Sequence, residues 1–170
     1  MTQTNPSTLK IRCATADDTA LILDFIRRLA EYERMLDEVV ATEELLREWI
    51  FEKQKAEVLV GELPNGQPVT FALFFHNFST FLGRAGIYLE DLYVLPEHRR
   101  KGYGRAMLQA LARITVERGC GRLEWSCLDW NESSLAFYRL LGAVPMSDWT
   151  AQRLTGSALS DLANKRPSRV

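Results

Sequence analysis

Long apolar runs are missing from this sequence of 170 residues. None approaches the roughly 18 residues a transmembrane helix needs, so no membrane partner is expected. Charge of one sign is missing too: 21 Lys and Arg stand against 22 Asp and Glu, a formal charge of −1. Nucleic-acid binders normally carry a basic excess on one face, so nucleic acid is not an expected partner either. Cysteine is sparse. Cys13, Cys120 and Cys127 form no CxxC pair and no even disulfide set, which suits reduced, core or semi-buried thiols in a cytoplasmic protein. Only two histidines occur, His76 and His98, and with the cysteines off ligand spacing no metal is expected. The opening Met1–Thr8 stretch is polar and lacks the basic and apolar segments of a secretory signal. Internal repeats, linkers and low-complexity tracts are absent.

What is present describes an ordinary globular chain. Hydrophobic residues make up 46% and charged residues 25%, enough apolar surface to offset the entropy of ordering. The length suits one domain, expected to span residues 1–170 with a core of about 8–155.

Along the chain, Leu9, Ile11 and Cys13 alternate with polar neighbours, which predicts a strand over Thr8–Cys13. Thr15-Ala-Asp-Asp18 opens a helix whose apolar residues, Leu21, Ile22, Phe25, Ile26, Leu29 and Ala30, follow helical spacing. A second helix is expected from near Thr42, with Leu45, Leu46, Trp49 and Ile50 on one face. Ala56–Leu63, Val69–Phe78 and Gly86–Leu95 read as an antiparallel meander, its first hairpin turned by Pro64-Asn-Gly-Gln67. The order then changes. A basic, Gly-punctuated loop leads into a helix from about Tyr103 to Glu117, then a strand over Arg122–Leu128. Asn131 caps a helix to Leu141, followed by Gly142. A final strand is expected within Val144–Leu154, with the remaining residues polar and loose. The fold class is therefore α+β, with a mixed, mostly antiparallel sheet flanked by helices.

The segment richest in chemistry is Glu90-Asp-Leu-Tyr-Val-Leu-Pro-Glu-His-Arg-Arg-Lys-Gly-Tyr-Gly-Arg105. A strand ends, the loop holds Arg99, Arg100, Lys101, Gly102 and Gly104, and a helix begins. Glycines let backbone N–H groups approach an anion, and a helix N-terminus adds unpaired donors and partial positive charge. A dinucleotide fold would want Gly-x-Gly-x-x-Gly, but the third position is Met107, and the strands before the loop are antiparallel.

The spacing Arg99-x-x-Gly102-x-Gly104 after Leu-Tyr-Val resembles the acyl-CoA-binding motif of the GNAT superfamily of N-acetyltransferases. A second stretch, Asn131-Glu-Ser-Ser-Leu-Ala-Phe-Tyr138-Arg-Leu-Leu-Gly142, is similar to that family's Asn-to-Tyr helix. Leu29-Ala-Glu-Tyr-Glu33, Tyr88-Leu-Glu-Asp91 and Leu128-Asp-Trp-Asn131 further resemble the diamine acetyltransferase branch. One departure stands out: Thr80 and Leu82 occupy positions where polyamine acetylators carry an Asp and a Trp, which leans towards a shorter, Lys-like amine such as thialysine.

The resemblance implies the GNAT acyl-CoA N-acyltransferase fold, acetyl-CoA as acetyl donor, a small primary amine as acceptor and a homodimer. It also implies the site. The cofactor would lie along Leu92, Tyr93 and Val94, over Arg99, Arg100, Lys101, Gly102, Tyr103, Gly104 and Arg105, and against Asn131, Ser134 and Tyr138. Tyr138 would donate a proton to the departing thiolate, the competing reading being an ordinary core aromatic whose hydroxyl meets a backbone carbonyl. Glu90 would act as general base, through water, or else be an exposed ion-pair partner. A regular strand would turn Asp91 to the opposite face. Asn131 can serve as helix cap and cofactor contact together. Tyr32 and Glu33 would line the amine side, in a stretch where residues 31–52 hold eight acidic side chains against Arg34 and Arg47. Acetylation of a protein lysine or N-terminus, and a non-catalytic acyl-CoA sensor, are the competing readings.

Overall fold

Four strands of alternating or continuous apolar pattern come first in the chain, and they pair in sequence order. In the computed structural model, which describes residues 9–165, these are β1 (Lys10–Cys13), β2 (Glu57–Glu62), β3 (Pro68–Ser79) and β4 (Arg84–Val94). Each is antiparallel to the next. A fifth strand, β5 (Leu123–Trp125), joins β4 in parallel, giving the order β1-β2-β3-β4-β5. The β2–β3 hairpin turns at Gly66 in the left-handed region (φ 83°), and Asn65 Oδ1 accepts from the Gln67 N–H at 3.0 Å.

The described residues fall into two compact units dividing after Ser126. The first holds the sheet and three helices. Helix α1 (Thr19–Tyr32) follows a 3-10 turn at Ala16–Asp18, where the Asp18 carboxylate accepts from the Thr15 N–H at 2.7 Å. Asp18 is also gripped from both sides of its carboxylate by Arg12 (2.7 and 2.8 Å), and Arg12 reaches Glu62 at 2.7 Å, tying β1, β2 and the start of α1 together. Thr42 caps α2 (Glu43–Leu46), which runs on as a π-helical turn through Arg47–Glu52. Helix α3 (Tyr103–Glu117) has the expected bounds.

Apolar residues of α1, the π turn and the sheet make one core: Ile22, Phe25, Ile50, Val58, Val60, Phe71 and Tyr93. Phe25 stacks on Phe71 with centroids 5.1 Å apart and meets Tyr93 edge-on at 6.3 Å. Met107, Leu108 and Leu111 bury the inner side of α3.

The second unit carries α4 (Glu132–Leu140) and α5 (Gly156–Asn164), and none of its described residues is buried. The strand expected within Val144–Leu154 does not form: the segment lacks period-2 alternation, and Pro145 removes a ladder donor. The loose tail is corrected as well. Ala158, Leu159, Leu162 and Ala163 recur at helical spacing and form one side of α5. Cys13 lies exposed rather than half-buried, and all three cysteines are free thiols. Thr8, the first residue of the expected opening strand, and residues 166–170 lie outside the described residues.

Among the described residues no helix is long and apolar enough to cross a membrane.

Candidate active site

The site is built around an irregularity in β4. Register pairs Leu73 with Asp91 and Phe74 with Leu89, which leaves Glu90 as an extra residue without a partner, a β-bulge. Leu73 and Phe74 are consecutive on β3 and point to opposite faces, so their partners Asp91 and Leu89 do too. The strand is not regular here, so simple alternation does not apply, and Asp91 lies on the face opposite Leu89. Asp91 shares a face with Tyr93, which belongs to the core beneath α1, and Glu90 projects into solvent at the bulge.

That placement changes the chemistry of Asp91. Burial, then the charges of Glu90 and Glu33, push its carboxyl from the usual 3.8 up to about 7. Glu33 is shifted in the same direction by burial alone. Asp91 thus keeps its proton up towards neutrality, and the sequence reading gave it no part in the site. The signal was present but unreadable: the triplet Leu89-Glu-Asp91 shows two carboxylates, and a period-2 count cannot show that a bulge turns the second inward.

Tyr32 and Glu33 sit where α1 stops. Arg34 takes a left-handed conformation (φ 62°), its N–H reaching Glu31 O at 3.1 Å, while the Met35 N–H reaches Ala30 O at 2.8 Å. These two bonds satisfy carbonyls of the last turn and close the helix end. Arg99, expected as a phosphate ligand, is half-buried. Its guanidinium lies 4.6 Å from the Tyr32 ring centroid and 5.3 Å from that of Tyr93, and its Nε donates to Val94 O at 3.0 Å. The first unit therefore gathers Tyr32, Glu33, Glu90, Asp91, Tyr93, Val94 and Arg99.

The loop after β4 fits an anionic ligand. A short 3-10 turn at Pro96–His98 leads to Arg100 (φ 59°) and Gly102 (φ 86°), both left-handed. Gly102 is the N-cap of α3, and no side chain caps that helix, so its first N–H groups face outward with the dipole's positive end. Arg100, Lys101 and Arg105 are exposed around it. Gly104 approaches Val94, a Cβ there meeting Val94 Cγ2 at 3.8 Å.

On α4, Asn131 is the cap as expected: its Oδ1 accepts from the Ser134 N–H at 3.3 Å and from Ser133 Oγ at 3.2 Å. Ser134 and Tyr138, four residues apart, share a face of that helix, and the Phe137 and Tyr138 rings lie 5.5 Å apart. Gly142 ends it with φ 86°. Among the described residues no group of three or more His, Cys, Asp or Glu is placed to hold a metal ion.

An uncapped helix thus follows a bulged strand with carboxylates at the bulge, and comparison with known proteins supplies the class. The model of the acetyltransferase (GNAT) family matches residues 23–143, so the chain belongs to that family of acetyl-CoA-using N-acetyltransferases. A thialysine N-epsilon-acetyltransferase of Bos taurus is 38% identical over 166 residues, covering 91% of this chain and 97% of the relative. The L-ornithine N5-acetyltransferase of Arabidopsis thaliana is 31% identical over 195 residues, covering 88% and 86%. Among solved structures, an integron cassette protein from the mobile metagenome of V. cholerae superposes with a TM-score of 0.77 at 24% identity, covering 93% of this chain and 99% of that one. That likeness bears on the fold alone.

Proposed function

We propose that the chain transfers the acetyl group of acetyl-CoA to a short primary amine of the thialysine or ornithine class, by direct attack in a ternary complex. The observation that carries this reading is the carboxylate group at the β4 bulge: Glu90 exposed, Asp91 turned inward and Glu33 at the end of α1. Relatives named for thialysine and ornithine acetylation add support.

Amines of this kind have a pKa near ~10 and arrive as ammonium ions. The site must hold the cation, remove a proton and expose the lone pair. Glu33 and Glu90 supply negative charge for the first task. Glu90, through water, or Asp91 takes the proton, and Asp91 is suited by a pKa close to working pH. The free amine attacks the thioester carbonyl, the C–S bond breaks as the C–N bond forms, and the thiolate leaves with a proton from Tyr138. The second N–H proton, lost as the amide forms, restores Tyr138, so the amide product, CoA thiol and one released proton balance the reaction. Backbone N–H groups of Leu92 and Val94 would hold the thioester arm, and the loop through Gly102, Tyr103 and Gly104 with Arg100, Lys101 and Arg105 the diphosphate. Asn131 and Ser134 would complete the contacts to the cofactor. The chain works as one N-acetyltransferase domain, in the cytoplasm and as a homodimer.

Incubation with acetyl-CoA and a panel of thialysine, ornithine, spermidine and a lysine peptide, followed by free-thiol measurement, tests this. Thiol release is expected with thialysine or ornithine. Release with the peptide alone would assign a protein substrate. Tight CoA binding with no release from any amine would make the chain a sensor.

A further inference from the structure

We propose that Arg99 is a positioning residue that fastens the amine-side Tyr32 to the end of β4, and that its side chain is not a ligand of the diphosphate. The inference rests on the reading of the loop as the acetyl-CoA site and of Tyr32 as part of the amine side. Four basic side chains crowd the loop, and three of them, Arg100, Lys101 and Arg105, are exposed. Arg99 differs. It is half-buried, its Nε is committed to the Val94 carbonyl at 3.0 Å, and its planar group lies over two aromatic rings from different elements.

Each contact has a separate consequence. The bond to Val94 O ties the side chain to the last residue of β4. The stacking on Tyr32 draws the end of α1 towards that strand, because the ring face is negative and attracts the guanidinium. Tyr93 presents a second ring from the core side. One side chain thereby joins the start of the anion loop, the bulged strand and the helix end that carries Tyr32 and Glu33. Lysine could keep the charge but not the planar fork that bonds a carbonyl while covering a ring.

Arg99→Gln, Tyr32→Leu and the double variant in the full chain test this, with Arg99→Lys as the alternative should Arg99→Gln fail to fold. Acetyl-CoA affinity is read by isothermal titration, thialysine KM and kcat by thiol release, and stability by urea midpoint. Arg99→Gln is expected to leave acetyl-CoA affinity within about two-fold while raising thialysine KM about ten-fold and changing kcat less than about three-fold. Adding Tyr32→Leu to it should change KM by less than about two-fold and hardly move the urea midpoint, since the two residues act as one unit. An acetyl-CoA affinity weakened about ten-fold with KM unchanged would make Arg99 a phosphate ligand and overturn the inference, as would independent, multiplying effects in the cycle. If the parent releases no thiol with any amine, the proposed substrate falls by itself. The urea cycle and the acetyl-CoA affinity then decide the role of Arg99 without it.

Discussion

Asp91 illustrates how far a single residue's chemistry is set by its surroundings rather than by its type. Its folded-state pKa lies above the unfolded one, near 7 against 3.8, so the native carboxyl holds its proton longer. The sign follows. The carboxyl weakens the fold little below about pH 4, increasingly as pH rises towards 7, and fully above that. Asp91→Asn is therefore expected to raise stability by up to roughly 4 kcal/mol at about pH 8 and to leave it unchanged near pH 4, read as urea midpoints at the two pH values. In kinetics the parent should show kcat/KM rising through a limb near pH 7, and Asp91→Asn should lose that limb. A limb that persists in the variant would remove Asp91 from the proton-transfer role. Tyr138→Phe belongs at the same scale: turnover should fall about 100-fold with acetyl-CoA affinity nearly unchanged. Equal turnover in variant and parent would remove Tyr138 from the mechanism.

At the scale of elements, the loop and α3 were legible because their chemistry is local. Glycine at an N-cap and a run of Met107, Leu108 and Leu111 at helical spacing need no distant partner to be recognised, and the helix starts and ends where expected. Gly102→Ala tests the loop. Nothing lies within 4 Å of the added Cβ, so the cost is the left-handed backbone alone, about 1 kcal/mol in urea denaturation. Acetyl-CoA affinity should fall with it, since the same backbone turns the helix's N–H groups outward. A loss of 3 kcal/mol or more would mean that the glycine is needed for packing as well. Strand β4 was legible in extent and illegible in detail. Its bulge depends on how β3 pairs with it, which no pattern within β4 itself reveals. The strand expected within 144–154 does not form, because Pro145 removes a ladder donor and no alternation runs through the segment.

For the whole molecule, the contrast between the two units makes a prediction. Every described buried side chain lies before Ser126, while α4 and α5 have none. Hydrogen exchange should therefore be slowest in β3, β4 and α3 and fastest in α5, because opening a segment without buried apolar contacts costs little. Protection of α5 equal to that of β3 would show that the second unit is covered by a partner surface, and sedimentation would then report the dimer directly. Acid should act at a different place. Arg12 holds the Asp18 carboxyl down to about 2, so the link between β1, β2 and α1 supports the fold above about pH 4 and is lost as pH falls towards 2.

The order of elements from β1 to α4, the glycine-bearing loop before α3, the cap at Asn131 and the family itself were written in the sequence, because each is encoded by neighbours or by fixed spacing along the chain. Which way Asp91 faces, why it keeps its proton near neutral pH, and that Arg99 spends its side chain on Tyr32, Tyr93 and Val94 were decided only by the tertiary structure. Those properties arise between residues far apart in the chain, through a register shift, a loss of water and the stacking of groups from three elements.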